Sequence, residues 1–521
     1  MRLGLAGSAA VMLLLYTPGV VAAASPYDLG AIDTFLQSEM SSLGIPGMAV
    51  GIVEGDTIVH LRGFGIAGSD GRKVTAQTPF LLASTSKAFT ALAVMQLVEA
   101  GKLDLDSIVR GYIPWFATDD WAQSGRITVR QLLNQTSGLS TATGTADNQS
   151  DDVDTGALER GVRRLAGRSL VSMPGAEFHY SNSNYQVLGL LVQVVSGQEF
   201  GAYLREHIFL PLDMKHTHTS LAEAKTDGLA SGYYHWFGLA SLPTDFPMST
   251  ANVPPAGIVS SAEDMAHALI AHLNSGRYLD QTLLSPAGMD ELHQGAVVTT
   301  GYASKYAMGW YVHPLFAEPD LVVGATSYTL PVVLDHNGTW SNYLSVMVVE
   351  PGLRRAAVVL MNAYDGTIEG RFGRIQFGIE QLLAGQPPLA ADALGDNLLA
   401  KYGRLLLTLA LVLQLAWIGA WLVWRRRKLL PRSRRRRLVM GSLTGVGLAL
   451  EIGGLAFLWL VVPGMFDEWW FTLPRVSPDT GLLMVAVTAV AVAWVAVRGL
   501  VAGRAFFRRS APIRTVLPHQ T

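Results

Sequence analysis

The hydrophobic pattern divides the chain into three regimes: an almost continuous apolar run over 3–21, a long stretch of short periodic segments from Ser25 to about Asn397, and long apolar blocks thereafter. In the middle regime, Leu92, Met95, Leu97 and Val98 recur at helical spacing and Gly101 supplies a stop, which predicts one helix over Leu82–Gly101. Gly47–Val53 and Ile58–Gly65 flank the polar turn Glu54-Gly55-Asp56, a β-hairpin by composition and turn chemistry. Ile127–Leu133 reads as a short helix, Ser140–Thr155 as a long polar loop, and Gln186–Ser196 as an apolar helix after a polar turn. Late in this regime come a strand over Pro331–Trp340, two more over Tyr343–Glu350 and Ala356–Asn362, and a closing helix over Ile368–Leu383. Strands near both ends with helices between them predict an α+β domain, in which the two ends of the chain complete one antiparallel sheet.

Composition sharpens this division. The chain has 521 residues, half of them apolar, and no cysteine, so disulfides and thiolate metal sites are excluded. From Lys401 onward there are 17 of the 39 Lys and Arg but 4 of the 41 Asp and Glu, leaving 22 basic and 37 acidic residues before it, a net of -15. An acidic globule joined to a basic apolar tail is a poor nucleic-acid partner. Arg2, the apolar run and Ala22-Ala23-Ala24 read as an export signal over 1–24, in a pattern that suits cleavage after Ala24 and that an uncleaved anchor shares. Leu405–Trp424, Leu438–Val462 and Leu482–Val497 are each about long enough to cross a bilayer, which takes on the order of 20 helical residues. The Arg-rich loop 425–437 and the basic C-terminus belong in the cytoplasm, so the domain over 25–385, joined by a linker over 386–403 to a membrane domain over 404–521, faces outward. The expected location is the inner membrane, multi-pass, with the domain on the periplasmic or extracellular side.

Ser84 and Lys87 lie one helical turn apart at the start of a core helix. Burial and the positive helix end both lower the pKa of such a lysine, and a neutral amine can take the serine proton. Tyr180 and Asn182, two apart in an extended piece, point the same way, although Asn182 or Ser183 as a plain helix cap is the simpler reading by itself. His336-Asn337-Gly338 ends a strand. His216 and His218 lack a third ligand in the nearby sequence, so no metal site is expected there. The run Tyr233–Phe237 fits either a substrate wall or core.

Together Ser84-Thr85-Ser86-Lys87, Tyr180-Ser181-Asn182 and His336-Asn337-Gly338 resemble, in this order, the three motifs of the serine beta-lactamase and penicillin-binding superfamily, in particular its class C and beta-lactamase-related hydrolases. The likeness covers about residues 28–385 and extends to Gly44–Gly47, Leu132–Leu139 and Ala256–Ser261. It implies an antiparallel sheet flanked by helices with an all-helical subdomain, and a cofactor-free acyl-enzyme route. In that route Ser84 is the nucleophile, Lys87 and Tyr180 share the proton work, and Asn182 holds Lys87 and substrate. The backbone N–H groups of Ser84 and Thr339 form the oxyanion hole, and Asn182, His336, Asn337 and Gly338 meet the substrate. Two departures stand out: His336 replaces the common lysine, which puts beta-lactamase activity in doubt, and Gln135 replaces a frequent histidine and is expected to be structural. With its membrane tail the chain is similar to the membrane-anchored peptidases that mature nonribosomal-peptide prodrugs, such as the colibactin-maturing one, by removing an N-acylated D-amino-acid cap. The partners so implied are a peptide or peptide-like small molecule and the lipid bilayer, with room for a homodimer. The rival readings are a beta-lactamase or esterase of the same superfamily, a penicillin-binding receptor without turnover, and a scaffold or transport partner with a dead pocket, against which the intact Ser84, Lys87 and Tyr180 speak.

Overall fold

The computed structural model describes residues 27–147, 152–237, 239–299, 304–315, 332–364, 369–388, 398–426, 451–461 and 477–509. The expected export signal, the middle of the linker and most of the second apolar block lie outside the described residues.

The domain is built on an eight-stranded antiparallel sheet. In spatial order its strands are Thr57–Gly65, Gly47–Glu54, Arg355–Met361, Tyr343–Glu350, Val332–Trp340, Trp310–Pro314, Lys305–Ala307 and Val297–Val298. The N-terminal hairpin thus lies beside the last strands, with Val50 opposite Val359 and Val359 opposite Val346. Side chains alternate between two cores. Met48, Val50 and Ile52 pack with Ile32, Leu36, Ile375 and Ile379 from the helices Leu29–Ser42 and Glu369–Leu383, whereas Ala49 and Val53 join the larger cluster on the opposite face. Burial on both faces is why these strands read as unbroken apolar runs.

Three expectations need correction. Leu82–Gly101 is not one helix: Ala83–Thr85 forms a separate 3-10 turn, Ala83 has φ 47, and the α-helix runs over Ser86–Glu99. The polar stretch after Ser140 is not all loop, because Thr141–Asp147 is helical. Gly144 allows that helix to lie against the next motif, since a Cβ there would come within 2.5 Å of the Asn182 nitrogen. The helix expected from Gln186 starts earlier and covers Asn182–Ser196.

Behind the sheet, His313 is buried with Asp335 (Nε2 to Oδ2, 3.2 Å) and Glu380 (3.8 Å), and its Nδ1 faces the Pro314 carbonyl at 2.9 Å. Burial alone would lower the histidine pKa, but Glu380 and Asp335 outweigh it and raise it to about 9. Burial raises Glu350 to about 8 against the pull of Arg355 and His313. Both shifts have the same sign. Each group binds its proton more tightly in the folded state, so its stabilisation is complete below its unfolded pKa and disappears as pH rises through about 8 for Glu350 and about 9 for His313. These two groups therefore pull the thermal midpoint down as pH rises between about 5 and 9, while the lowered pKa of Lys87 acts in the opposite sense, so a His313→Gln, Glu350→Gln chain should lose less stability, or gain more, than the unaltered chain over the same scan.

Two C-terminal helices, Leu398–Arg426 and Pro478–Arg509, contain segments long and apolar enough to cross a membrane, Tyr402–Val423 and Pro478–Arg498. They run parallel. Arg404 Nε lies 3.0 Å from Asp479 near their starts, and the rings of Trp421 and Trp494 meet edge to face at 4.9 Å farther along.

Candidate active site

The Ser84 turn is braced from behind. The Leu82 carbonyl accepts from Thr85 Oγ1 at 2.9 Å and from Ser345 Oγ at 2.6 Å, and the Ile258 N–H donates to Ser86 Oγ at 3.1 Å. These contacts hold Ala83 in its left-handed conformation, a strained state that survives only where its surroundings impose it. Ser84 is thereby presented at the mouth of the turn rather than inside the helix, and Lys87 in the first turn of the α-helix reaches back to it.

Lys87 is fully buried, and burial drives its pKa well below the ordinary lysine value. Its Nζ lies 2.8 Å from Asn182 Oδ1, 2.9 Å from the Pro255 carbonyl and 3.1 Å from Ser84 Oγ. A neutral amine has two N–H donors and one lone pair. The two carbonyl oxygens take the donors, so the lone pair faces the serine hydroxyl. Tyr180 completes the group: Lys87 Nζ sits 4.7 Å from its ring centroid, and burial holds its phenol far above the usual range against the opposing effect of a hydrogen bond with Ser84.

Asn182 does not cap its helix. Ser181 is the N-cap, without a side-chain cap bond, and the Asn182 side chain serves Lys87 instead. The segment from His179 to Asn184 is fixed by Gln135, a residue at φ 59 whose carbonyl accepts from the His179 N–H at 2.8 Å. Gln135 Oε1 accepts from the Ser181 N–H at 2.9 Å and from the Asn184 amide at 2.5 Å. Gln135→Ala should leave these buried donors without a partner, destabilise the domain by about 1–3 kcal/mol and slow acylation of Ser84 by misplacing Tyr180 and Asn182. Thermal denaturation and probe labelling of the same sample check both effects.

The third motif lies on Val332–Trp340, whose alternation sends neighbouring side chains to opposite faces. His336 faces the catalytic group but is buried, its ring 6.2 Å from those of Tyr180 and Tyr306 and 5.3 Å from that of Tyr311. Burial, followed by the nearby Lys87, lowers its pKa to about 3, while Nδ1 lies 2.6 Å from the Asn337 carbonyl. It is a neutral ring and supplies no cation. Gly338 lies against the nucleophile turn, where a Cβ would fall 2.1 Å from the Leu82 carbonyl and 3.0 Å from the Ser84 nitrogen. This close approach brings the backbone of Gly338–Thr339 to that of Ser84, as an oxyanion hole formed by Ser84 and Thr339 requires. Asn337 is turned away, and its side chain donates to Gln376 Oε1 at 3.2 Å on the opposite face. Expected among the substrate-binding side chains, it is placed by strand geometry in the packing of the Glu369–Leu383 helix.

Pro255, Ser345 and Thr85 were not legible as site residues. The Pro254-Pro255 pair just before Ala256–Ser261 is the signal in the sequence that comes nearest to Pro255. His216 and His218 share the carboxylate of Asp227, at 3.0 Å and 2.8 Å. The ligand atoms of His313, Asp335 and Glu380 lie within 4.8 Å of one another, in residue types and spacing a candidate cation site, and the same two carboxylates are what raise the His313 pKa.

A serine in contact with a buried neutral lysine, beside a tyrosine and under a glycine-bearing strand, is the arrangement of serine hydrolases that work through a covalent acyl-enzyme. The chain belongs to the beta-lactamase family, whose model matches residues 32–374. Protein flp of Staphylococcus aureus (strain MW2) is 30% identical over 337 residues, 64% of this chain and 62% of that protein, so the chain spans about three-fifths of this relative. The octameric penicillin-binding protein homologue from Pyrococcus abyssi has a similar fold, with TM-score 0.59 and 23% identity over 69% of this chain and 78% of that one. The class C beta lactamase from Rhodobacter sphaeroides does so at TM-score 0.55 and 22% identity, over 68% of this chain and 99% of that one.

Proposed function

We propose that this chain is an exported, membrane-anchored serine peptidase that cleaves an amide in a D-amino-acid-containing peptide or N-acyl-D-amino-acid prodrug through an acyl-Ser84 intermediate. The observation that carries the reading is the placement of Lys87, whose two carbonyl partners leave its lone pair for Ser84. Ser84 Oγ attacks the substrate carbonyl carbon while its proton passes to Lys87 Nζ, directly or through the Tyr180 hydroxyl. The resulting oxyanion accepts from the Ser84 and Thr339 N–H groups, donors worth on the order of 3 kcal/mol each in the transition state. Collapse breaks the C–N bond as the same proton is returned to the departing amine. Water then repeats the sequence on the ester and frees Ser84. The neutral His336 supports a substrate recognised without a carboxylate at that position, which favours a peptide cap over a beta-lactam.

Anchoring is supported by the two apolar C-terminal helices. Their parallel course requires the chain between them to return, consistent with a third crossing that includes the short apolar helix Glu451–Leu460. The Arg-rich loop after the first helix supports a cytoplasmic position for that end and an outward position for the domain.

The test is labelling of the full chain in detergent or nanodiscs with a fluorophosphonate and a labelled penicillin, beside Ser84→Ala, followed by an N-acyl-D-aminoacyl amide as substrate. Turnover of the amide that disappears in Ser84→Ala supports a peptidase. Permanent penicillin labelling without turnover supports a receptor, rapid release of hydrolysed penicillin a beta-lactamase, and no labelling defeats the Ser84 reading.

A further inference from the structure

The strands Tyr233–Trp236 and Ala240–Pro243 form a hairpin at some distance in sequence from every catalytic motif, yet it is joined directly to the apolar helices. Asp479, in the first turn of its helix, is fully buried. Its Oδ1 accepts from the Tyr234 hydroxyl at 2.8 Å, and its Oδ2 accepts from the Phe237 N–H at 2.7 Å and lies 3.0 Å from Arg404 Nε. Arg404 Nη2 also donates to the Tyr234 hydroxyl at 3.0 Å. A buried ion pair persists only where further hydrogen bonds satisfy both charges, and here the hairpin supplies them. Lipid-type surface begins within about one helical turn of this lock: Leu405, Leu406 and Leu482 are more than half exposed.

The tip of the hairpin is apolar as well. Leu239 is 88% exposed, Phe237 42% and Leu242 49%, and Trp236 and Tyr234 in the first strand of the hairpin meet edge to face. Scattered exposed leucines mean little. These lie at and beside a turn whose Phe237 N–H is hydrogen-bonded to Asp479 at the start of an apolar helix, with the tryptophan and tyrosine that favour a membrane interface next to them.

We propose that this hairpin is a membrane-seating element: Phe237, Leu239 and Leu242 enter the outer interface of the bilayer, and Arg404, Asp479 and Tyr234 lock the hairpin to the span starts. The proposal rests on the anchoring reading above. The other end of the hairpin is tied to the turn after the Gly338 strand, where the Asn342 amide donates to the Thr244 carbonyl at 2.6 Å and the Tyr343 hydroxyl to the Ala230 carbonyl at 2.5 Å. Seating the hairpin therefore fixes the attitude of the Ser84 cleft toward the membrane.

The absence of cysteine makes the test clean. Single variants Leu239→Cys, Leu242→Cys and, as a water-exposed control in another turn, Leu279→Cys carry an environment-sensitive nitrobenzoxadiazole label on the full chain in phosphatidylcholine and phosphatidylglycerol vesicles. Labels at 239 and 242 should emit to the blue of the label at 279, be quenched by lipids spin-labelled near the headgroup, and be several-fold less accessible to aqueous iodide. Adding Asp479→Ala should restore iodide access at 239 while the chain still floats with the vesicles. Iodide access at 239 equal to that at 279 on floating vesicles overturns the proposal and leaves anchoring intact. Protection that vanishes on diluting the protein in lipid overturns it in favour of a second copy covering the tip. A chain that does not float overturns the anchoring reading, and the proposal with it. The comparison of 239 with 279 needs no lock variant, so misfolding of Asp479→Ala would not blunt it.

Discussion

Lys87→Met should slow fluorophosphonate acylation of Ser84 by about 10²–10⁴-fold, the range that a positioned general base contributes, with Ser84 still present and labelled at long times. The methionine fills the buried space but offers neither the lone pair that faces Ser84 nor the donors held by Asn182 and Pro255. The pH profile separates this role from simple packing. Acylation by the unaltered chain requires the neutral amine, so its rate should fall as pH drops through the lowered pKa of Lys87 and the ammonium forms. That acid limb should vanish in Lys87→Met, whose slow residual rate should be flat. His336, with a pKa of about 3, adds no limb near neutrality, so a profile keeping its acid limb in Lys87→Met would assign the base elsewhere.

Gly338→Val should be as damaging by a different route. Its Cβ would lie 2.1 Å from the Leu82 carbonyl, 2.4 Å from Ser345 Oγ and 3.0 Å from the Ser84 nitrogen, so the strand and the nucleophile turn have to separate. Separation pulls the Thr339 N–H away from the oxyanion, and the loss of one such donor lowers kcat by about 10²–10³-fold. The overpacking itself costs about 1–3 kcal/mol of stability. Because the nearest atom belongs to the Leu82 backbone, adding Ser345→Gly should not restore the rate. Stopped-flow acylation and thermal denaturation measure the two effects separately, and a full-rate Gly338→Val enzyme would move the oxyanion hole off this strand.

Much of this site is local and was legible. Ser84 and Lys87 lie three residues apart, Tyr180 and Asn182 two apart, and a glycine ends the third motif; each spacing constrains which way a side chain can point before any packing is known. The same local rule, applied to His336-Asn337-Gly338, already separates Asn337 from its neighbours, since a strand cannot turn consecutive side chains into one cleft. Alternation leaves His336 and Gly338, not Asn337, on the side of Ser84. Ala83 could not be foreseen, because alanine seldom adopts positive φ and it is held there by contacts from distant residues, Ser345 to the Leu82 carbonyl and Ile258 to Ser86, together with Thr85.

Residue type and short-range spacing suffice for the order of motifs, the termini-completed sheet, the acidic globule and the apolar tail. The tertiary contacts add what those rules leave open: that Pro255 is the second acceptor for Lys87, how Gln135 braces the second motif, and that the Tyr234 hairpin is bolted to the apolar C-terminal helices. Charge state and hydrogen-bond partnership depend on what surrounds a group in three dimensions, and those neighbours come from up to 245 residues away in the case of Tyr234 and Asp479. Spacing along a chain cannot encode them.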